Sequence, residues 1–200
     1  MNCNNTHDFL LSLNLKNSYF KEIQISDYPK IISWINDPNF NKFLYQGLNH
    51  VSNESFSKQV SDEKSLEDAK IFSQFNKLTN QLVGWCGLYF PTSKIYKSVK
   101  KAEIRSFVGT EFWGQGYGTE QYVALVTMGF EVFNLNKVFF GTHQDNIGIQ
   151  KIYQKLNFFK EGISRQDYFR NNFADIYRYS ILQNEYHENI KKIFESYLKN

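Results

Sequence analysis

The chain has little cysteine and proline, with two cysteines and three prolines in 200 residues. Two distant thiols, Cys3 and Cys86, are too few for a disulfide framework or a cysteine-rich metal set. The histidines are also scattered, without the short spacings of zinc ligands. We therefore expect no structural disulfide and no metal site, although the chain holds four histidines: His7, His50, His143 and His187.

Long apolar runs and basic clusters are missing as well. No apolar run reaches the roughly 18 residues of a membrane span, and the polar stretch 1–8 does not resemble a signal peptide. The formal charge is +3, but Lys and Arg form no stripe along the chain. We expect no membrane or nucleic-acid partner, and a soluble cytoplasmic protein is the default. Hydrophobic residues make up 42% and aromatic residues 18%, which indicates a packed globule.

The alternating and helical patterns predict one domain over residues 18–185, after an N-terminal extension over 1–17 and before a C-terminal helix over 186–200 that packs on the domain. The extension is polar apart from the cluster Phe9-Leu10-Leu11. The predicted strands are 18–24, 69–75, 82–89, 102–109, 137–142, 162–170 and 173–182. The main predicted helices are one capped by Ser26 or Asp27, one from 122 to about 133 and one over 147–156.

The most informative stretch is the glycine-rich run from Trp113 to Thr119, which reads Trp-Gly-Gln-Gly-Tyr-Gly-Thr. It follows a predicted strand and opens the longest predicted helix. Such a junction points free backbone N–H groups at an anion, and its glycines permit positive φ and close approach of a ligand. The run therefore predicts a phosphate or pyrophosphate site, with a plain tight turn as the alternative.

Two familiar phosphate loops do not fit this run. A P-loop needs Lys followed by Ser or Thr after its last glycine, and here Gly118 is followed by Thr119 and Glu120. A dinucleotide-binding loop reads G-x-G-x-x-G near the first strand, with an acidic residue about 20 positions later. Here the spacing is G-x-G-x-G in mid-chain, and Asn136 and Lys137 stand at that distance.

A second motif lies downstream. Asn146 precedes a short predicted helix, and Tyr153 follows it two turns along the same face, within a run that ends at Phe158. With both motifs, residues 18–185 resemble the GNAT superfamily of acetyl-CoA-dependent N-acetyltransferases, which carry [Q/R]-x-x-G-x-[G/A] and N-x-x-x-x-x-x-Y-x-K-x-G-F. The Trp34–Pro38 segment and the glycine run are most similar to the branch with ribosomal-protein, spermidine and sugar-amine acetyltransferases.

The resemblance implies an α/β fold with a mixed, mostly antiparallel, strongly twisted sheet of about six to seven strands, flanked by helices. It also implies acetyl-CoA as co-substrate. The loop N–H groups would hold the pyrophosphate, while one strand would splay from its neighbour and meet pantetheine with its free backbone groups. Asn146 would also contact pantetheine, unless it is only a helix N-cap. The implied coenzyme contacts are Phe107, Val108, Gly109, Trp113, Gly114, Gln115, Gly116, Tyr117, Gly118, Thr119 and Asn146.

Two residues depart from the family pattern, and a third is acidic. Trp113 stands where Gln or Arg is usual, which removes one side-chain phosphate contact and leaves backbone N–H groups. Asn157 replaces a glycine after the second helix, and Asn is the next-best residue for a left-handed helix end. Glu120 is at odds with a pyrophosphate, so its side chain should point away from the coenzyme.

The implied reaction is direct acetyl transfer to a primary amine of a small molecule or a protein N-terminus. By resemblance, Tyr153 protonates the departing thiolate, although it could instead be a core aromatic. An alkylammonium must first lose a proton, and the candidate bases are His143 and Glu103. His143 could instead be an ordinary loop residue, and Glu103 could be an ion-pair partner of Arg105. A water relay could replace both as the base.

The acceptor stays open at this point. Candidates are a protein α-amine, a polyamine and the amino group of a nucleotide-linked sugar, and the hairpin 166–178 could border the site. An acidic patch that could hold a polyamine contains Asp62, Glu63, Glu67 and Asp68. A non-catalytic acyl-CoA-binding or regulatory protein on the same fold is the alternative function. The assembly could be a monomer or a homodimer.

Overall fold

A seven-stranded sheet organises the computed structural model, which describes residues 4–44, 50–65, 69–91, 100–169 and 172–199. The strand order is β1-β2-β3-β4-β5-β7-β6, and only β4 and β5 run parallel. This confirms an α/β fold on a mixed, mostly antiparallel sheet. The strands are β1 Ser18–Glu22, β2 Ala69–Asn76, β3 Leu82–Tyr89, β4 Lys101–Val108, β5 Lys137–His143, β6 Phe159–Phe169 and β7 Asn172–Leu182.

Helices cover both faces of the sheet. The larger apolar core lies between the sheet and the longest helix, and a second aromatic core around Trp34 and Trp85 lies on the opposite face. The helices are α1 Asn4–Ser12, α2 Tyr28–Ile35, α3 Pro38–Asn41, α4 Asn53–Ser65, α5 Tyr117–Glu131, α6 Ile147–Lys155, α7 Gln183–Glu185 and α8 Lys191–Glu195, with a π-helical turn Tyr186–Ile190 between the last two.

Two elements, helix α1 and strand β6, differ from the sequence expectation. The N-terminal extension contains helix α1, because its small apolar cluster is enough to bury Leu10 in the main core beside Leu15. Strand β6 starts at Phe159, earlier than predicted, and is bulged between Lys160 and Gly162. A bulge breaks the period-2 pattern on which the strand prediction rested.

Strands β4 and β5 separate partway along the sheet. They pair at Lys101–Lys137, Ala102–Val138 and Glu103–Phe139. Beyond that point β4 continues to pair with β3 as far as Val108, and β5 continues with β7 as far as His143. The divergence leaves an opening in the middle of the sheet, of the kind that the family resemblance implied.

A buried polar network fixes the first turn of α5 to the sheet. The Glu120 side chain is 1% exposed, and its carboxylate accepts from the Asn17 N–H at 2.9 Å and the Ser18 hydroxyl at 2.5 Å. Gln74 donates to the Ser18 hydroxyl at 2.9 Å, and Gln121 donates to Gln74 at 2.8 Å. Burial raises the pKa of Glu120, opposed by its donors. As expected, this carboxylate points away from the glycine loop.

Replacing Glu120 by alanine would leave the buried Ser18 hydroxyl and the partly buried Asn17 N–H without their acceptor. We expect the free energy of unfolding to fall by about 1–3 kcal/mol, the cost of one unsatisfied buried donor. Urea unfolding followed by circular dichroism measures this loss. The exposed Glu188 provides the control, since Glu188→Ala should change stability by less than about 0.5 kcal/mol. Similar small losses in both variants would contradict the role of the network.

Candidate active site

The glycine loop ends at a helix N-terminus that no side chain caps. Gly114 and Gly116 have φ of +76° and +91°, in the left-handed region that favours glycine. A Cβ at Gly114 would meet nothing within 4 Å, so the loop is open on its outer side. Gly116 is the N-cap residue of α5, and its conformation turns the chain into the helix without a capping side chain.

The free donors of this loop are its backbone N–H groups. The N–H groups of residues 114–119 have no acceptor within the described ranges, and the first bond of α5 runs from the Glu120 N–H to the Gly116 oxygen at 3.1 Å. They lie at the N-terminus of a 15-residue helix, whose dipole also favours an anion. The loop thus fits a pyrophosphate that is held by backbone groups alone.

Of the three residues expected to meet pantetheine, one directs its backbone groups toward the opening. The Trp113 indole N–H donates to the Val108 oxygen at 2.8 Å, whereas the Gly109 N–H donates to the Val83 oxygen of β3 at 2.9 Å. Backbone groups alternate along a strand, so the Val108 N–H faces the opening. The Phe107 oxygen accepts from the Gln121 side chain at 2.9 Å. Of the three residues expected to meet pantetheine, Val108 is therefore the one whose backbone is directed toward it.

The Trp34–Pro38 segment braces the end of β4. The Trp34 indole N–H donates to the Glu111 carboxylate at 2.8 Å, and Asp37 accepts from the Thr110 hydroxyl at 3.1 Å. A Cβ at Gly109 would lie 2.3 Å from a ring atom of Trp34, so only glycine fits at that point. This motif therefore positions the glycine loop through packing and hydrogen bonds.

Asn146 lies at the start of α6, on the far side of the opening. Its side-chain oxygen accepts from the Ile149 N–H at 3.3 Å, so the capping role is present. Its side-chain NH₂ has no acceptor in the described part of the chain and is available to a ligand. A Cβ at Gly118 would lie 3.1 Å from Ile152, which shows how closely α6 packs on the first turn of α5.

Tyr153 is a buried tyrosine whose hydroxyl forms a pair with a second one. Its side chain is 1% exposed, and its hydroxyl lies 2.8 Å from that of Tyr122. Burial raises the pKa of both phenols. A phenol with a raised pKa keeps its proton, which suits a proton donor. Tyr122 was not predicted as a site residue, because a tyrosine within an apolar helix is typical of a core residue.

Glu103 and Arg105 line a cavity on the sheet face opposite α5. Arg105 contacts Glu103 at 3.1 Å and Glu63 at 3.7 Å, and its guanidinium lies 4.0 Å from the centre of the Tyr89 ring. The cavity measures about 300 Å³ and includes Phe139. Glu103 is thus held by an ion pair, at the last position where β4 and β5 still pair.

The acidic patch is not a single cluster in the structure. Glu63 faces the cavity, whereas Asp62 pairs with Lys58 on the exposed side of α4 at 2.9 Å. Glu67 and Asp68 lie outside the described residues.

His143 lies at the end of β5 on the same face as Glu103. Four residues separate it from Phe139, or about 13 Å along a strand. Its Nδ1 accepts from the Asp145 N–H at 3.1 Å, so the neutral ring carries its proton on Nε2. The two candidate bases therefore lie at opposite ends of the opening.

Other chemistries find little support in the described ranges. No group of three or more His, Cys, Asp or Glu side chains there could hold a metal ion. No helix there is long and apolar enough to cross a membrane. Cys86 is buried, and burial raises the pKa of its thiol, which makes it a poor nucleophile. Cys3 lies outside the described residues.

The fold and the loop define an acetyltransferase, and a family comparison gives the same class. Residues 19–158 match the family described as acetyltransferase (GNAT) domain. The chain belongs to this family of enzymes, which use acetyl-CoA and act on amine acceptors.

Similar proteins carry related names. The uncharacterized N-acetyltransferase p20 of Bacillus licheniformis is 29% identical over 170 residues, which cover 83% of this chain and 93% of that protein. YnaD of Bacillus subtilis, also named an uncharacterized N-acetyltransferase, is 22% identical over 88% of this chain and 99% of its own length. Among solved structures, spermidine N-acetyltransferase from Vibrio cholerae, in complex with CoA and spermine, has a TM-score of 0.75 at 17% identity, covering 86% of this chain and 98% of its own.

Trp113 should report coenzyme binding by its fluorescence. It is 45% exposed, whereas Trp34 and Trp85 are 3% and 5% exposed. Because its indole N–H is bonded to the Val108 oxygen, a coenzyme in the opening competes for that oxygen and changes the indole's surroundings. We expect CoA to shift the emission of the wild type, but not of Trp113→Phe, with binding of both confirmed by calorimetry. A shift that persists in Trp113→Phe would place the coenzyme elsewhere.

Proposed function

We propose that this chain transfers the acetyl group of acetyl-CoA directly to a primary amine of a small molecule or a protein N-terminus. The observation that carries the proposal is the set of free N–H groups at residues 114–119. They lie beside the point where β4 has left β5, so a pyrophosphate site and an unpaired strand edge adjoin each other.

The coenzyme would be held mainly by backbone groups. The N–H groups of residues 114–119 would bind the pyrophosphate, and pantetheine would lie along Val108 in place of the missing β5 partner. The NH₂ of Asn146 would reach pantetheine from the other side of the opening. The Val108 N–H would polarise the acetyl carbonyl, since a fixed donor stabilises the charge that develops on its oxygen.

Proton transfers complete the reaction. An alkylammonium of pKa about 10.4 is neutral in about one molecule in 2,500 at pH 7, so the site must take a proton from it. The amine nitrogen then bonds to the acetyl carbon as the carbon–sulfur bond breaks. Tyr153 gives its proton to the leaving sulfur and regains one from the new amide nitrogen. The proton that the ammonium lost before the attack passes through the base to solvent.

Glu103 is the better placed of the two candidate bases. It lies at the last paired position of β4 and β5, where the opening begins, and it lines the cavity on this face of the sheet. His143 lies at the far end, and its neutral form presents a proton on Nε2 rather than a lone pair. His143 is therefore the second candidate.

The acceptor class follows from the charged groups on this face. A polyamine would need unengaged carboxylates, but Glu63 and Glu103 share Arg105, and Asp62 pairs with Lys58. These contacts favour an acceptor other than a polyamine, such as an amino sugar linked to a nucleotide or a protein N-terminus. A non-catalytic acyl-CoA-binding protein, the alternative function, would bind acetyl-CoA and release no CoA with any amine.

Tyr153→Phe tests the proton donor. We expect kcat to fall about 10²-fold, the usual contribution of a positioned acid, while CoA affinity stays near wild type. CoA release and calorimetry measure the two quantities. The matched control is Tyr186→Phe, which removes another hydroxyl from a tyrosine that is 1% exposed and stacks on Phe130 near the other end of α5. Wild-type kcat in Tyr153→Phe would exclude Tyr153 as the acid.

The base is tested by Glu103→Gln and His143→Gln, which are close in size to the native side chains and cannot accept the proton. We expect Glu103→Gln to lower kcat/KM by about 10²-fold, because a general base contributes on that scale. His143→Gln should keep the wild-type kcat/KM. The reverse result would assign the base to His143, and two active variants would favour a water relay.

A further inference from the structure

A second arginine lies on the face of the sheet that carries both candidate bases. Arg178 of β7 pairs with Gly141 of β5. Its neighbours along this register are Phe139–Ser180 and His143–Ile176, which share its face. The intervening pair, Phe140 and Tyr179, packs in the core on the α5 side. Arg178 therefore faces the same side of the opening as Glu103 and His143.

The glycine at position 141 makes room for this guanidinium. A Cβ at Gly141 would lie 3.0 Å from Nη1 of Arg178 and 3.6 Å from its Cδ. The arginine thus lies over β5 instead of extending into solvent. A side chain on Gly141 would push the guanidinium away from the opening.

Arg178 is held by one hydrogen bond and one ion pair. Its Nε donates to the Ser164 hydroxyl at 3.0 Å, and its Nη2 pairs with the Asp167 carboxylate at 3.4 Å. Its Nη1 has no acceptor among the residues that the structure describes, and the side chain is 41% exposed. By contrast, Arg105 contacts two carboxylates and stacks on Tyr89. Arg178 therefore pairs with one carboxylate and keeps the N–H groups of Nη1 for a ligand.

We propose that the acceptor carries an anionic group, a carboxylate or a phosphate, in addition to its amine, and that Arg178 binds this group over Gly141. The inference rests on the proposed acetyl transfer and names the acceptor class for that site. The two N–H groups of Nη1 can donate charge-assisted hydrogen bonds to the oxygens of a carboxylate or phosphate. The same positive charge repels a purely cationic acceptor, so Arg178 would determine specificity.

Matched pairs of amines test the proposal. Lysine against cadaverine adds a carboxylate, and glucosamine 6-phosphate against glucosamine adds a phosphate, so the two arms separate the two anions. With saturating acetyl-CoA, we expect wild-type kcat/KM to favour the anionic member of at least one pair by about tenfold or more, which corresponds to about 1.4 kcal/mol.

Arg178→Gln should remove this preference by raising KM for the anionic member, while the anion-free amine should lose no activity, because the charge that repels it is gone. Gly141→Ala should do the same with the arginine retained, which keeps the test valid if Arg178→Gln folds poorly. Arg165→Gln, which removes an exposed arginine from the adjoining strand β6, is the charge-matched control and should keep the preference.

The outcomes separate this inference from the function on which it rests. Acetylation of amines with no preference for the anionic member, or a preference that survives in Arg178→Gln, overturns the inference and leaves the acetyltransferase proposal intact. A preference that Arg165→Gln also removes would reflect the general surface charge and overturns it too. No CoA release with any amine would overturn the proposed function itself.

Discussion

The end of β4–β5 pairing at Glu103 and Phe139 is the constraint on which the site depends. Two parallel strands that stay together would use their backbone groups on each other. Because these two diverge, the Val108 backbone faces an opening in which a ligand can take the place of a strand. The buried tyrosines lie on the α5 side of the sheet and the charged cavity lies on the other side.

Helix α5 connects this opening to the rest of the domain. Its first turn directs backbone N–H groups outward and the side chains of Glu120 and Gln121 inward, toward β1, β2 and β4. A buried polar side chain is costly unless its partners are in place. The network therefore specifies where the helix starts relative to the sheet, and with it where an anion can bind. Glu120 and Gln121 therefore contribute both to the stability of the fold and to the position of the glycine loop.

The two faces of the opening differ in their chemistry. On the α5 side, Tyr122 and Tyr153 form a desolvated hydroxyl pair that retains its protons. On the other side, Glu103 and the two arginines form a partly exposed, charged surface. A proton donor and a proton acceptor need opposite environments, and in the proposed reaction the two faces of the sheet would supply them.

Local patterns in the sequence determined the order of the elements, the glycine loop and the cap at Asn146, because helical spacing, strand alternation and positive φ are properties of neighbouring residues. Helix α1 was missed since its apolar cluster is short. Other features depend on register between distant segments, which no local pattern records. The tertiary structure alone decided that Tyr122 meets Tyr153, that Gly109 bonds to β3, and that Arg178 lies over Gly141.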